Sequence, residues 1–410
     1  MLHKPTLWKL SAALGATVLF ASCEKRDVAP DANPSAAATS DIGRISHDHD
    51  NLASSNLIPN QYIVVFNDDV KAEKLEYASY AEAQDGARAA AQPVLQQHRI
   101  ASTDVQQYYG VALRGFAAHL TPEQVQALRA DSRVAYVEQD QMMSVGTPRV
   151  ESTATAEAQT TPYGITRVGT ANGVGRTAWV IDTGIDLDHP DLTVDAGRSR
   201  SFVSGVSSPD DGNGHGTHVA GTIAARNNSD GVIGVAAGAT VVAVRVLGSN
   251  GSGSNSGVIA GVDYVGANAS AGQVANMSLG GGASSALDNA VRNAAARGIL
   301  FALAAGNEGR SATTSSPGRT NGANIYTISA MNSSDSWASF SNYGNPPVDY
   351  CMPGVSVRST YRGGGYATLS GTSMASPHMA GVLLIRGTSF STSGRVRNDP
   401  DGNADPIARL

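Results

Sequence analysis

Between residues 177 and 385, short continuous apolar runs alternate with stretches of helical spacing, a pattern that few folds accept. The runs lie at 177–181, 240–247, 274–279, 299–305 and 325–331; the helical stretches lie at 215–225, 256–269, 284–297 and 373–385. Strands that lack inside–outside alternation are buried on both faces, and helices between them act as crossovers. The pattern predicts a three-layer α/β domain with a mainly parallel sheet, over residues 162–387. In such a fold ligands and catalytic groups gather beyond the C-terminal ends of the strands.

Residues 371–381 read GTSMASPHMAG. Thr372 and Ser373 have N-cap chemistry, and Pro377 is tolerated in a first helical turn. Ser373 is therefore expected at a helix N-terminus, where partial positive charge favours an alkoxide-like oxygen. Alone, such a serine is most simply a cap, but two upstream stretches point further. Asp182 follows the buried run Trp179-Val180-Ile181, and His215 is flanked by Gly214 and Gly216, which let other segments approach its ring. Acyl transfer by serine needs a nucleophile, a base of near-neutral pKa and an acid that orients the base. Ser373, His215 and Asp182 are the candidates, and Asn307, in AAGNEG after another buried run, offers an amide for the oxyanion. Two rivals are weaker. His215 and His218 are three apart but lack the intervening Glu of a zinc-protease helix, and no glycine fingerprint for a dinucleotide follows the strand before Asp182.

The N-terminal part is organised differently. Residues 1–22 carry a weakly basic start, an apolar run and small residues, as an export signal does, and the run is too short to span a membrane. Residues 23–59 read as a polar tether, in which His47-Asp48-His49-Asp50 is a spacer rather than a metal site. Residues 60–145 predict a small α+β domain: strands at 62–66, 105–109, 115–120 and 134–140, with helices over 70–99 and from Thr121-Pro122 to about 130. A Ser/Thr/Ala/Glu-rich linker spans 146–161 and a polar tail spans 388–410. With only Cys23 and Cys351 in the chain, no disulfide is expected in an exported product that begins near Cys23. The net charge of −6 and pI near 5.8 argue against a nucleic-acid partner.

The runs VIDTGIDLDHPDL, DGNGHGTHVAGTI, NMSLGGG, AAGNEG and GTSMASPHMAG, in that order, resemble the subtilisin-like serine proteases, most of all the proteinase K branch. The stretch YIVVF…GFAAHLTPEQVQALRADSRVAYVEQD resembles their inhibitory pro-domain, so the likeness covers roughly residues 60–385. It implies a subtilisin-like fold and a secreted endopeptidase made as an autoprocessed zymogen, with Asp182, His215 and Ser373 as triad and Asn307 as oxyanion donor. Ser278, Leu279, Gly280 and Ala304, Ala305, Gly306 would wall the specificity pocket, and Gly251, Ser252, Gly253, Ser254 would pair with substrate backbone. Small uncharged walls imply broad cleavage after apolar or aromatic residues. The pro-domain would send 141–145 into that cleft as inhibitor. No catalytic cofactor is implied; Ca²⁺ would be structural, at Asp349 with the carbonyls of Ala323 and Ile325. Partners would be protein or peptide substrates and the chain's own pro-domain, with the enzyme a monomer. Leu19-Phe20-Ala21-Ser22-Cys23 resembles a bacterial lipoprotein signal, which implies a lipid on Cys23 and an outer or cell-surface membrane location, the alternative being plain secretion. His189 and His378 fall in matched runs without a catalytic role. The chain departs from the proteinase K branch in lacking disulfides, and from the family in ending about 37 residues after Ser373. A surface lipoprotein that keeps the scaffold without turnover is the rival from another class; all four catalytic positions are filled, which weighs against it.

Overall fold

The computed structural model describes residues 56–67, 79–146, 149–154 and 158–410. The export segment 1–22, Cys23 and the tether up to residue 55 lie outside the described residues, as does 68–78 of the first expected helix.

The N-terminal domain runs β1 (Leu57–Phe66), α1 (Tyr80–Gln97), β2 (Val105–Tyr109), β3 (Gly115–His119), α2 (Pro122–Arg129) and β4 (Val134–Ser144). α1 is described from Tyr80, where the Ser79 side chain accepts from Glu82 N–H. Thr121 and Gln124 form a capping box on α2, with Pro122 at its first position. The strands are antiparallel, in the order β2-β3-β1-β4. Period-two alternation divides their side chains: Val64, Phe66, Phe116 and Ala118 pack with both helices, while Ile63, Val65 and Ala117 join the core of the larger domain. β4 continues past its expected end at 140 because its last residues find a new partner outside the domain.

The larger domain begins with β5 (Arg149–Ala154) and α3 (Tyr163–Val168). There follow β6 (Thr177–Asp182), α4 (His215–Ala224), β7 (Thr240–Arg245), β8 (Ser252–Ser254), α5 (Asn255–Asn268), β9 (Val274–Met277), α6 (Ser285–Ala295), β10 (Leu300–Ala304), β11 (Ile325–Met331) and β12 (Val348–Pro353). β13 (Val357–Tyr361), β14 (Gly365–Ser370), α7 (Thr372–Arg386), β15 (Ser391–Arg395) and β16 (Pro406–Arg409) complete it. The main sheet is wholly parallel, ordered β12-β11-β10-β9-β6-β7 and extended by short strands at 193–194 and 200–201. α4 and α7 are buried against one face; α5 and α6 cover the other. The predicted three layers are thus present, and the continuous apolar runs are the strands β6, β7, β9, β10 and β11.

Two stretches that read as polar and irregular are built into the fold. β5 lies within the expected linker and pairs antiparallel with β14, which also pairs with β13. The C-terminal stretch folds into the hairpin β15–β16, which buries Val396 and Ile407 against Met331 and Cys351. Arg167 holds it by bonding both oxygens of Asp335 and the side chain and carbonyl of Ser393.

Candidate active site

Asp182 ends β6, His215 opens α4 and Ser373 is the second residue of α7, so the sheet and two helix N-termini bring the three together. His215 Nδ1 lies 2.8 Å from Asp182 Oδ1, with side chains 1% and 0% exposed. Asp182 Oδ1 also accepts Thr183 N–H at 2.7 Å, which holds the carboxylate in place. A carboxylate at Nδ1 puts the ring proton there and leaves the Nε2 lone pair as the base. Nε2 is buried and has no hydrogen-bond partner among the described residues. Close approach depends on Gly216, where a Cβ would stand 2.1 Å from the Gly184 carbonyl oxygen.

Ser373 Oγ donates to the Ser278 carbonyl at 3.1 Å, and Ser278 Oγ donates to the Ser373 carbonyl at 2.8 Å. The Ser373 hydroxyl is therefore held on Ser278 rather than on His215; in catalytic sites such bonds often tighten only around a bound substrate. Asn307 Oδ1 accepts both the N–H and the hydroxyl of Thr372, at 2.8 and 2.9 Å. Those two donors fix the amide's orientation, so its NH₂ edge faces away from Thr372. Leu279, Gly280, Ala304, Ala305 and Gly306 line one cleft with Asn307 and Ser373.

That cleft already holds a strand. Residues 142–144 of β4 pair antiparallel with β8, making β8 the fifth strand of the N-terminal sheet. On its other edge Ser144 exchanges two bonds with Gly280, both 2.9 Å, and Val145 N–H reaches the Gly251 carbonyl at 3.1 Å. The expected segment 141–145 lies where the sequence placed it.

Interface carboxylates escaped the sequence reading. Glu138 accepts from Ser284 Oγ and from the N–H groups of Ser285 and Ala286, capping α6 across the domain boundary. Asp140 accepts Ser256 N–H at 3.0 Å in the first turn of α5. Asp263, from α5, accepts Val111 and Ala112 N–H at 2.8 and 2.7 Å, and burial pushes its carboxyl up to about 6. Each is an acidic residue in an ordinary-looking local sequence, and only its distant partners reveal its work.

His218, His189 and His378 are occupied structurally. His218 Nε2 faces the carbonyls of Val357 and Ala367, and burial pulls its pKa down to about 3. His189 Nε2 meets the Gly365 carbonyl and its Nδ1 accepts Asp191 N–H; His378 Nδ1 meets the Met374 carbonyl. Asp349 Oδ2 accepts Thr327 N–H at 2.8 Å, and burial pushes its carboxyl up to about 6. One carboxylate is a single ligand of the six to eight oxygens that Ca²⁺ takes, so a site here would draw the others from carbonyls and water. Gln159 is a structural donor: its amide nitrogen bonds Arg226 O, Asn228 Oδ1 and Val232 O at 2.9, 3.2 and 3.3 Å.

Comparison with known proteins agrees with this geometry. The profile of the Subtilase family matches residues 175–388, and that of Peptidase inhibitor I9 matches residues 61–145. The chain belongs to the subtilase family of serine proteases, with an inhibitor-type domain in front of the peptidase. It is 42% identical over 345 residues to alkaline serine exoprotease A of Vibrio alginolyticus, a match covering 80% of this chain and 60% of that protein. It is 40% identical to the extracellular serine proteinase of Thermus sp. (strain Rt41A), covering 86% of this chain and 85% of the relative. Among solved structures, that of a cold adapted subtilisin-like serine proteinase is 41% identical, with TM-score 0.53, covering 60% of this chain and 96% of the other.

Proposed function

We propose that this chain is an exported serine endopeptidase, made as a zymogen that processes itself through an acyl-enzyme on Ser373. The observation that carries the reading is His215: its Nδ1 is bonded to buried Asp182 while its Nε2 is left free, beside a cleft already laid with the chain's own strand. When an extended peptide displaces Ser373 from Ser278, His215 Nε2 takes the hydroxyl proton and Oγ attacks the scissile carbonyl. The resulting oxyanion meets the Asn307 amide and the Ser373 N–H, which as a first-turn donor has no intrahelical acceptor. His215 then protonates the leaving amine, and water repeats the steps to release the acid. Asp182 keeps the tautomer and balances the imidazolium.

Residues 60–145 serve as inhibitor and 162–387 as peptidase. Gly251–Ser254 and Ser278–Gly280 give substrate its backbone pairing. The walls at 278–280 and 304–306 are small and uncharged, which favours an apolar or aromatic residue before the cut. Export through residues 1–22, with lipid on Cys23, fits the sequence there; incorporation of labelled palmitate that is lost in Cys23→Ser tests the lipid. Calcium belongs to stability, held at Asp349 with the Ala323 and Ile325 carbonyls. The reading is tested by labelling with a fluorophosphonate probe and by hydrolysis of casein. Wild type is expected to be labelled and active, and Ser373→Ala to lose both. Ser373→Ala retaining more than about a hundredth of wild-type activity would refute the assignment, since triad losses cost several orders of magnitude.

A further inference from the structure

We infer that the first bond cut in maturation is the one that follows Gly146, joining it to Thr147. The inference rests on the acyl-transfer reading of Asp182, His215 and Ser373. Its basis is the register of β4 in the cleft. Ser144 stands opposite Gly280, bonded in both directions at 2.9 Å. Antiparallel partners run in opposite senses, so two residues beyond Ser144 lies opposite two residues before Gly280. Gly146 therefore faces Ser278. Ser278 is the residue whose carbonyl accepts the Ser373 hydroxyl, at 3.1 Å. The nucleophile thus stands at the register position of Gly146.

The chain on the other side of the cut is held independently. β5 pairs with β14 so that Arg149 lies opposite Ser370, which precedes Ser373 by three residues. Ser370 Oγ donates to Glu151 Oε1 at 2.6 Å, and Glu151 lines the same cleft as Ser373. β4 ends at Ser144 and β5 starts at Arg149, so the cut falls between two paired strands.

Gly146 itself is off the line of the strand, with φ of 71° and its N–H turned to Ser144 Oγ at 3.2 Å. Swinging it to extended backbone brings its N–H to the Ser278 carbonyl in place of the Ser373 hydroxyl, which is thereby released to His215 Nε2. Glycine makes that rotation without steric penalty. It also places no side chain between the walls at 278–280 and 304–306, so the pocket adds nothing to transition-state binding and the first cut is slow. In the step, Ser373 Oγ bonds to the Gly146 carbonyl carbon as the C–N bond to Thr147 breaks, and the hydroxyl proton passes through His215 to the Thr147 amine. Water then hydrolyses the ester, leaving the Gly146 carboxylate and restoring Ser373.

The test is intact mass spectrometry of the full chain at the earliest times at which processing is seen. The expected first products are an inhibitor fragment ending at Gly146 and a peptidase fragment beginning at Thr147. Gly146→Phe is expected to move no cut, keeping the fragment end at position 146, and to speed the step by about tenfold, the scale of filling an apolar pocket. A first-formed fragment ending elsewhere, or an unchanged rate in Gly146→Phe, would overturn the register assignment. Ser373→Ala is expected to remain uncut. If it is cut at the same bond, the acyl-transfer reading fails; wild type cut at another bond sinks only the present inference.

Discussion

A Cβ on Gly164 would lie 2.3 Å from Nε2 of His378 and 2.9 Å from its Cε1. The ring is fully buried and bonded through Nδ1, so it has little room to retreat. Gly164→Ala is expected to lower unfolding stability by about 1–3 kcal/mol, the usual cost of overpacking, read as a fall in Tm with activity at low temperature retained. His378 also sets a pH dependence. Burial pulls its pKa down to about 4, so between about 4 and the unfolded value near 6.5 the unfolded chain holds a proton that the folded chain refuses. Its contribution is complete above about pH 6.5 and is lost as pH falls towards 4. His378→Gln should therefore flatten the fall between pH 6.5 and 4 by up to about 1.4 kcal/mol per pH unit, measured by denaturant melts in both variants. At the site itself, if Asn307 is the oxyanion donor proposed above, Asn307→Ala should lower kcat by roughly 100–1,000-fold, the magnitude set by subtilisin's oxyanion amide, with KM little changed.

At the scale of elements, β4 caps two helices of the neighbouring domain and pairs with its edge strand. Glu138→Ala removes the acceptor for three donors at the start of α6, and lost caps typically cost about 1 kcal/mol. The purified N-terminal domain carrying this change should inhibit the peptidase with a constant raised about fivefold to tenfold, measured with a peptide substrate. How visible an element was in the sequence follows from where its partners lie. Asp182, His215 and Ser373 were legible because each sits in a local run whose glycines, strand and helix start are adjacent in sequence. Glu138 and Asp263 were not, since their partners come from about 150 residues away. β5 was hidden for another reason: RVESTA has no apolar alternation, and its pairing to β14 is made by backbone. The hairpin β15–β16 is equally polar in sequence, and its buried apolar residues are Val396, Ile407 and Ala408.

Across the whole molecule, one apolar core crosses the domain boundary. Ile63, Val65, Ala117, Met143 and Val145 pack with residues of α5 and α6 in a single cluster. Parallel sheets form through contacts distant in sequence, and a prefolded partner surface shortens that search. A chain starting near Thr161 should therefore refold slowly or not at all, and recover when the N-terminal domain is added in trans, followed by return of activity. Chelation is the other whole-molecule test. With Ca²⁺ held at Asp349 in the native state alone, EDTA should lower Tm and added Ca²⁺ should restore it in proportion to ln[Ca²⁺].

The strand shared between two sheets makes activation a ratchet. While β4 lies between β1 and β8, each domain supplies the other with the partner that its sheet edge lacks. Once the bond after Gly146 is cut, every excursion of β4 out of the cleft opens an edge on both sides. The peptidase edge can be refilled by any extended peptide, because backbone pairing asks little of side chains. The departing domain has no such substitute: without its outer strand partner it frays towards the protease that released it. One molecule freed early consumes the inhibitors of its neighbours, so the population should switch on with a lag and then all at once.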